Sequence, residues 1–290
     1  MHWPLLPRRE PTSSEPRLKE WLFRQRGLDV RESGTTQSAL QAILLHLYGS
    51  LNMDAVRRSR IGDWLFERAY LGYKLLLEAG PIGRLAMYVA PGSWAIDVGA
   101  NIGVFTIPFA KFVSGGSVLA LEPEVANFAA LQRRIKTAGF SHVVSAYCAV
   151  AAECDGTLHL AINPNHPGDH KLADEGAPVT AWRLDTLVKH HGTPPVSLIK
   201  VDVQGAELRV LKGAAETIER CRPALLIEVD EHALRRQGAS VLELLEWLNG
   251  RGYAAYRFDR NRAPVALGNE ELLRYTNYID VLFLPSERHG

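Results

Sequence analysis

Four acids stand where this chain can do chemistry: Asp97, Glu122, Asp202 and Glu228, each at or near the end of a short apolar run. The runs, at 94–98, 117–121, 197–202 and 224–229, read as strands buried on both faces. A carboxylate at such an end can accept hydrogen bonds from hydroxyls, balance an ammonium group, or take a proton. Asp97 opens Asp97-Val-Gly-Ala-Asn-Ile-Gly103, a strand-to-helix turn in which Gly99 and Gly103 carry no Cβ to keep a ligand off the backbone. Lys200 lies two residues before Asp202, so both project from one face of their strand. His170, in a polar segment further upstream, titrates near neutrality and suits proton transfer.

The spacing restricts the ligand. A dinucleotide fingerprint needs G-x-G-x-x-G, and Asn101 stands where its second glycine would be. No Gly-Lys-Ser or Gly-Lys-Thr follows any glycine loop, so a P-loop is absent from the sequence. Glu122 comes 25 residues after Asp97, where an acid can accept both ribose hydroxyls of an adenosine ligand. Asp97 would then face an aminoacyl end, whose ammonium needs a carboxylate. The pair favours an adenosyl ligand with no pyrophosphate to seat.

The elements that must position these residues alternate. Strand patterns at 94–98, 117–121 and 142–148 are separated by helical patterns at 104–113 and 124–138. Strands at 197–202 and 224–229 are separated by a helix at 207–220; a helix at 184–191 precedes them and another at 241–249 follows. This β-α-β order predicts a Rossmann-like α/β domain: a mostly parallel, seven-stranded sheet with helices on both faces. Runs at 253–258 and 278–284 close it, the last pair antiparallel. Residues 156–183 break the alternation as an inserted hairpin or loop beside the site. The predicted organisation is a helical, partly disordered extension over 1–60, a helical lead-in over 61–90, and the α/β domain over 91–285. Helical patterns in the first two parts fall at 17–26, 37–48, 61–77 and 82–89.

Composition sets outer limits. Of 290 residues 47% are apolar, enough for a full core, and acids and bases nearly cancel to a formal charge of +1. A neutral chain argues against nucleic acid as partner. The basic runs at 57–60, 133–134 and 235–236 read as solvated helix faces. Three cysteines without a CxxC pair imply reduced thiols and a cytoplasmic protein. No apolar stretch is long enough to span a membrane, and the sequence leaves a homodimer open.

These residues resemble the FkbM family of S-adenosylmethionine (SAM)-dependent methyltransferases. The likeness covers roughly 72–285. It rests on the Asp97–Gly103 turn, Leu121-Glu-Pro123, Gly168-Asp-His-Lys-Leu172, Arg183-Leu-Asp185, Ile227-Glu-Val229, and above all Lys200-Val-Asp-Val-Gln-Gly-Ala-Glu207 with Val210-Leu-Lys-Gly213. The resemblance implies a class I methyltransferase sheet. It also implies O-methylation of a hydroxyl on a sugar, polyketide or related metabolite, with SAM held by Asp97, Gly99, Ala100, Asn101, Gly103, Glu122 and Pro123. The chain departs from the family at Gln204, usually an acid, and at Arg133-Arg134 and Ala138, where asparagines are usual. The first change removes a charge beside Asp202.

Methyl transfer to a hydroxyl needs a positioned nucleophile and a base within reach. Asp202 is the foremost candidate, with His170 and Glu228 as further proton acceptors and Lys200 as a group that tunes Asp202 or contacts substrate. The acceptor would be a small molecule or a glycan. A SAM-binding module without activity and an N-methyltransferase are the competing readings. Asp202, Glu228, Asp230 and His232 include ligand types for a hard divalent ion, but no metal site is assigned.

Overall fold

The computed structural model describes residues 82–162, 170–257, 263–275 and 278–286. The helical patterns at 17–26, 37–48 and 61–77 lie outside these residues. Contacts divide the chain after Arg57, and all that follows concerns the second unit, Arg58–Gly290.

The described chain enters through a 3-10 helix, Ile82–Tyr88, and then alternates. β1 (Trp94–Val98), α1 (Thr106–Phe112), β2 (Val118–Leu121), α2 (Val125–Thr137) and β3 (Val144–Tyr147) form the first half. After an intervening small sheet come α3 (Leu184–His190), β8 (Val196–Val201), α4 (Glu207–Gly213), α5 (Ala215–Cys221), β9 (Ala224–Val229), α6 (Glu231–Arg236) and α7 (Val241–Asn249). β10 (Tyr253–Arg257), β11 (Val265–Ala266), α8 (Asn269–Leu272) and β12 (Ile279–Pro285) close the domain.

The main sheet runs β11-β10-β12-β9-β8-β1-β2-β3. Strands β3, β2, β1, β8 and β9 are mutually parallel, and β12 enters antiparallel to β9 and β10. This is the order of a class I methyltransferase sheet. The chain reverses its direction of travel between β1 and β8, and ligands bind at such a switch point, outside the carboxyl ends of the strands. Among the described residues the sheet has eight strands where seven were expected. The extra one is the two-residue β11, too short to read from sequence.

Both faces of the sheet are buried. Ile96, Leu119, Ile199, Leu225 and Phe283 pack on one side with α3, α4 and α7. Ala95, Ala120, Leu198, Leu226 and Leu282 pack on the other with Leu85, Phe109 and Leu131. Pro108 falls at the third position of α1, in the turn where its missing N–H costs nothing.

A second sheet, β4-β7-β5-β6, is formed by β4 (Val150–Ala151), β5 (Gly156–Ala161), β6 (Lys171–Ala173) and β7 (Ala177–Trp182). Leu160, Ala181, Val150 and Ala152 make its small core.

The helix expected over 207–220 is two helices broken at Ala214 (φ −111°). A Cβ on Gly213 would overlap the carbonyl of Ala152, so the chain must pass flush against the small sheet there. The buried Asp185 carboxylate takes the amides of Glu216 (3.2 Å) and Thr217 (2.9 Å) and the Thr217 hydroxyl (2.8 Å), which starts a new helix. Among the described residues no helix is long and apolar enough to cross a membrane.

Candidate active site

Strand register decides which side chains share a face. Asp97 pairs with Lys200 and with Ala120, Lys200 pairs with Leu226, and Glu228 pairs with Asp280 of β12. Side chains two apart on one strand share a face. Asp97, Glu122, Lys200, Asp202, Glu228 and Asp280 therefore lie on one face of the sheet, at or near the carboxyl ends of the parallel strands. The rim divides into a half around Glu122 and a half around Asp202.

In the first half, Glu122 is 4% exposed. Its Oε2 accepts the Asn101 amide at 2.8 Å and its Oε1 the Glu124 amide at 3.0 Å. The Asn127 side chain donates to the same carboxylate. Burial drives its pKa up to about 7, against the pull of these amides. Asn101 holds a left-handed conformation (φ 48°), which turns its amide onto Glu122, and its side chain accepts the Ile102 amide at 2.7 Å.

Gly99 and Gly103 are left-handed too (φ 75° and 84°). A Cβ on Gly99 would overlap the Asp202 carbonyl oxygen, and one on Gly103 would sit 2.7 Å from Leu131. The glycines are thus needed for packing of the loop itself. The amides of Gly99 and Ala100 both go to the Leu121 carbonyl (3.0 and 2.9 Å). Pro123 is half-buried, and its carbonyl takes the Cys148 thiol at 3.7 Å.

Asp97 is wholly buried. Its Oδ2 accepts the Thr106 hydroxyl at 2.5 Å, while Oδ1 has no hydrogen-bond partner and lies 3.9 Å from Lys200 Nζ. Desolvation pushes its pKa up, opposed chiefly by Lys200.

The second half is built around Lys200. Its ammonium donates to Asp202 Oδ2 (3.1 Å) and Gly99 O (3.4 Å) and lies 5.0 Å from the centre of the Phe105 ring. Burial alone would lower its pKa. The carboxylates of Asp202 and Asp97 outweigh that, so the net displacement is upward and Lys200 stays charged. One cation thus ties the glycine loop to Asp202.

Beyond it, Gln204 Nε2 donates to Asp202 Oδ1 (3.3 Å) and to Glu228 Oε2 (3.0 Å). The buried Glu207 clasps this loop from beneath: its Oε1 accepts the amides of Val203 (3.3 Å) and Gly205 (3.0 Å), and burial raises its pKa to about 7. His170 precedes β6 and is half-buried. Its strand is tethered near the same loop, because Gln237 donates to Leu172 O at 2.9 Å and its Cγ lies against Gly205.

Several expectations change. Arg134 is no solvated residue: its guanidinium holds the Ile102 carbonyl at 2.5 Å, inside the glycine loop. Arg133 beside it is exposed, and Arg235 is an exposed partner of Glu231. His191 sits against Trp94 and hydrogen-bonds the Tyr147 hydroxyl at 2.9 Å. His166 lies outside the described residues.

Asp230 is occupied as the cap of α6, accepting the amides of His232 (2.8 Å) and Ala233 (3.2 Å). Among the described residues no three His, Cys, Asp or Glu side chains are arranged to hold a metal ion. Sequence reasoning passed over Asp280, although an acid inside the apolar run 278–284 was a visible signal.

A model of the methyltransferase FkbM domain matches residues 97–255, more than half of the chain. A protein of Beauveria bassiana (strain ARSEF 2860) named Methyltransferase 1 is 31% identical over 145 residues, covering 42% of this chain and 58% of the relative. Methyltransferase sdnD of Sordaria araneosa is 31% identical over 156 residues, covering 42% of this chain and 60% of its own length. The match thus spans less than two thirds of either relative. Among solved structures, a methyltransferase FkbM from Methylobacillus flagellatus KT aligns over 94% of this chain and 71% of its own, with 16% identity and a TM-score of 0.47.

Proposed function

This chain belongs to the methyltransferase FkbM domain family, and from that premise we propose that it transfers a methyl group from SAM to a hydroxyl oxygen of a small-molecule or glycan acceptor. The observation that carries this reading is the divided rim. A buried acid on a glycine loop occupies one half, two bridged carboxylates occupy the other, and Lys200 joins them.

The residues of the first half fit SAM, the family's cofactor. Glu122 has both oxygens pre-oriented by backbone amides and suits the two ribose hydroxyls. Asp97 Oδ1 is a buried acceptor without a hydrogen-bond partner, the kind of atom that an ammonium-bearing ligand satisfies directly or through water. Gly99, Ala100, Asn101, Gly103 and Pro123 set the loop against that ligand. When bound, SAM supplies an electrophilic methyl on a positively charged sulfur.

The chain's own residues then have little covalent chemistry to perform. They orient the acceptor hydroxyl and receive its proton. Asp202 is placed for that role by Lys200 on one oxygen and Gln204 on the other. Glu228 offers a second acceptor beside it, and His170 remains a further candidate for receiving the proton. Lys200 is buried and engaged on three sides, which suits a positioning part more than direct contact with the acceptor.

The test separates the halves. Asp202→Ala should leave the affinity for S-adenosylhomocysteine within about twofold and reduce methylation of sugar or polyketide hydroxyls by about 10²- to 10⁴-fold. Calorimetry and transfer from radiolabelled SAM to a panel of such acceptors measure both. Wild-type rates in the variant would remove Asp202 from the reaction. A chain that binds S-adenosylhomocysteine yet methylates nothing in the panel would point to a binding module or another acceptor.

A further inference from the structure

Gln204 is the member of the rim whose type departs from the family's usual acid, and its surroundings explain what it does. It occupies a left-handed conformation (φ 56°), which costs a residue with a Cβ about 1 kcal/mol or more unless neighbours hold it there. Here they do. Glu207 Oε1 takes the amides on either side of it, from Val203 and Gly205. Gly205 (φ 107°) is pressed so close to the Ala233 carbonyl that no Cβ would fit.

The backbone is therefore fixed, and it aims the side chain between two carboxylates. A primary amide has two hydrogens on its nitrogen. One geometry uses both: Asp202 Oδ1 at 3.3 Å and Glu228 Oε2 at 3.0 Å. Two ionised carboxylates side by side repel, and such pairs ordinarily resolve the conflict by sharing a proton. A neutral double donor between them removes the need.

We infer that Gln204 is a positioning residue of the acceptor site: its amide holds Asp202 and Glu228 side by side as an ionised pair of hydrogen-bond acceptors for the substrate hydroxyl. This rests on the hydroxyl-methylation reading for its purpose, though not for its geometry. An acid at position 204 would place a third carboxylate between the other two. Among the described residues, the charged and titratable groups facing that point include Lys200 from β8, Asp97 from β1, Glu228 from β9, Asp280 from β12 and Glu207 from α4. Only one of these is a cation.

The full chain labelled with ¹⁵N tests the geometry. The Gln204 side-chain amide is identified as the pair of resonances lost in Gln204→Ala. Its two protons should be displaced from free-glutamine positions and slow to exchange with solvent. Asp202→Ala should release one proton, and Glu228→Ala the other. The kinetic arm uses a hydroxyl acceptor that the wild type methylates. Gln204→Ala should lower kcat/KM for the acceptor by about tenfold, the loss of one or two such hydrogen bonds, and leave the affinity for S-adenosylhomocysteine unchanged.

Gln204→Glu should move the acid limb of the pH–rate profile upward, an effect that mere loosening of the loop would not produce. Amide protons that exchange freely and ignore both carboxylate substitutions overturn the proposal, as does an unmoved profile in Gln204→Glu. If no hydroxyl is methylated by the wild type, the functional reading falls, and the amide spectra still decide whether Gln204 holds the pair.

Discussion

Glu122 shows how a single side chain links burial to binding. Its pKa near 7 comes from desolvation, so at pH 6 the free protein holds most of this group protonated. Ribose hydroxyls are best accepted by the ionised form. Cofactor binding should therefore release a proton below pH 7, and the release should fade by pH 8. Calorimetry with S-adenosylhomocysteine in two buffers of different ionisation enthalpy measures it directly. Glu122→Gln should abolish the release and weaken binding by about 10- to 100-fold, as expected for losing hydrogen bonds to a charged acceptor. Equal proton counts in wild type and variant would detach this acid from the ribose. Glu122 was legible in the sequence because an acid ending an apolar run is conspicuous. The Gln204 bridge was not, because it depends on which strand lies beside which. No local pattern states that register.

At the level of elements, the parallel strands were the most legible part. Buried on both faces, they read as unbroken apolar runs, and β9 and α7 fall on the bounds expected of them. Short elements with polar partners were not. Helix α6 has only six residues and begins on the Asp230 side chain, and the 207–220 pattern hid a break. That break turns on Asp185, part of the Arg183-Leu-Asp185 run. The carboxylate is buried and serves four donors: two amides and a hydroxyl at the start of α5, and Arg183 at 3.1 Å. Asp185→Ala would strand the amide and hydroxyl of Thr217 in the interior. The expected cost is about 2–4 kcal/mol, read as a lower midpoint in chemical denaturation with little change in affinity for S-adenosylhomocysteine. An unchanged midpoint would mean that water or a shifted helix satisfies the donors, and that the break at Ala214 has another cause.

Across the whole molecule, the buried acids set a direction for stability against pH. Glu122 and Glu207 both titrate near 7 in the folded chain because burial disfavours their charge, and Asp97 is displaced upward for the same reason. A carboxyl group whose folded pKa lies above its unfolded value favours folding while it is protonated. That contribution is complete below the unfolded pKa, about 4.5, and is lost as pH rises through about 7. Lys200 does not alter this window, since its raised pKa keeps it charged in both states throughout. Glu153 and Glu231 are displaced downward, although burial opposes it, by Arg209 in the first case and by the Val241 amide and Arg235 in the second. Their contribution is lost on the acid side instead. The cofactor-free chain should thus be most stable near pH 5 and lose stability steadily to pH 8, by on the order of 2 kcal/mol for each of Glu122 and Glu207. Saturating S-adenosylhomocysteine should flatten that slope, because it stabilises the folded state by mass action and favours the ionised Glu122. Glu122→Gln combined with Glu207→Gln should flatten it without ligand. Thermal unfolding at pH 5, 6, 7 and 8 distinguishes the cases. A wild-type midpoint that rises over this interval would mean that the rim is wetter than its packing implies, and the pre-oriented acid at its centre would lose its physical basis.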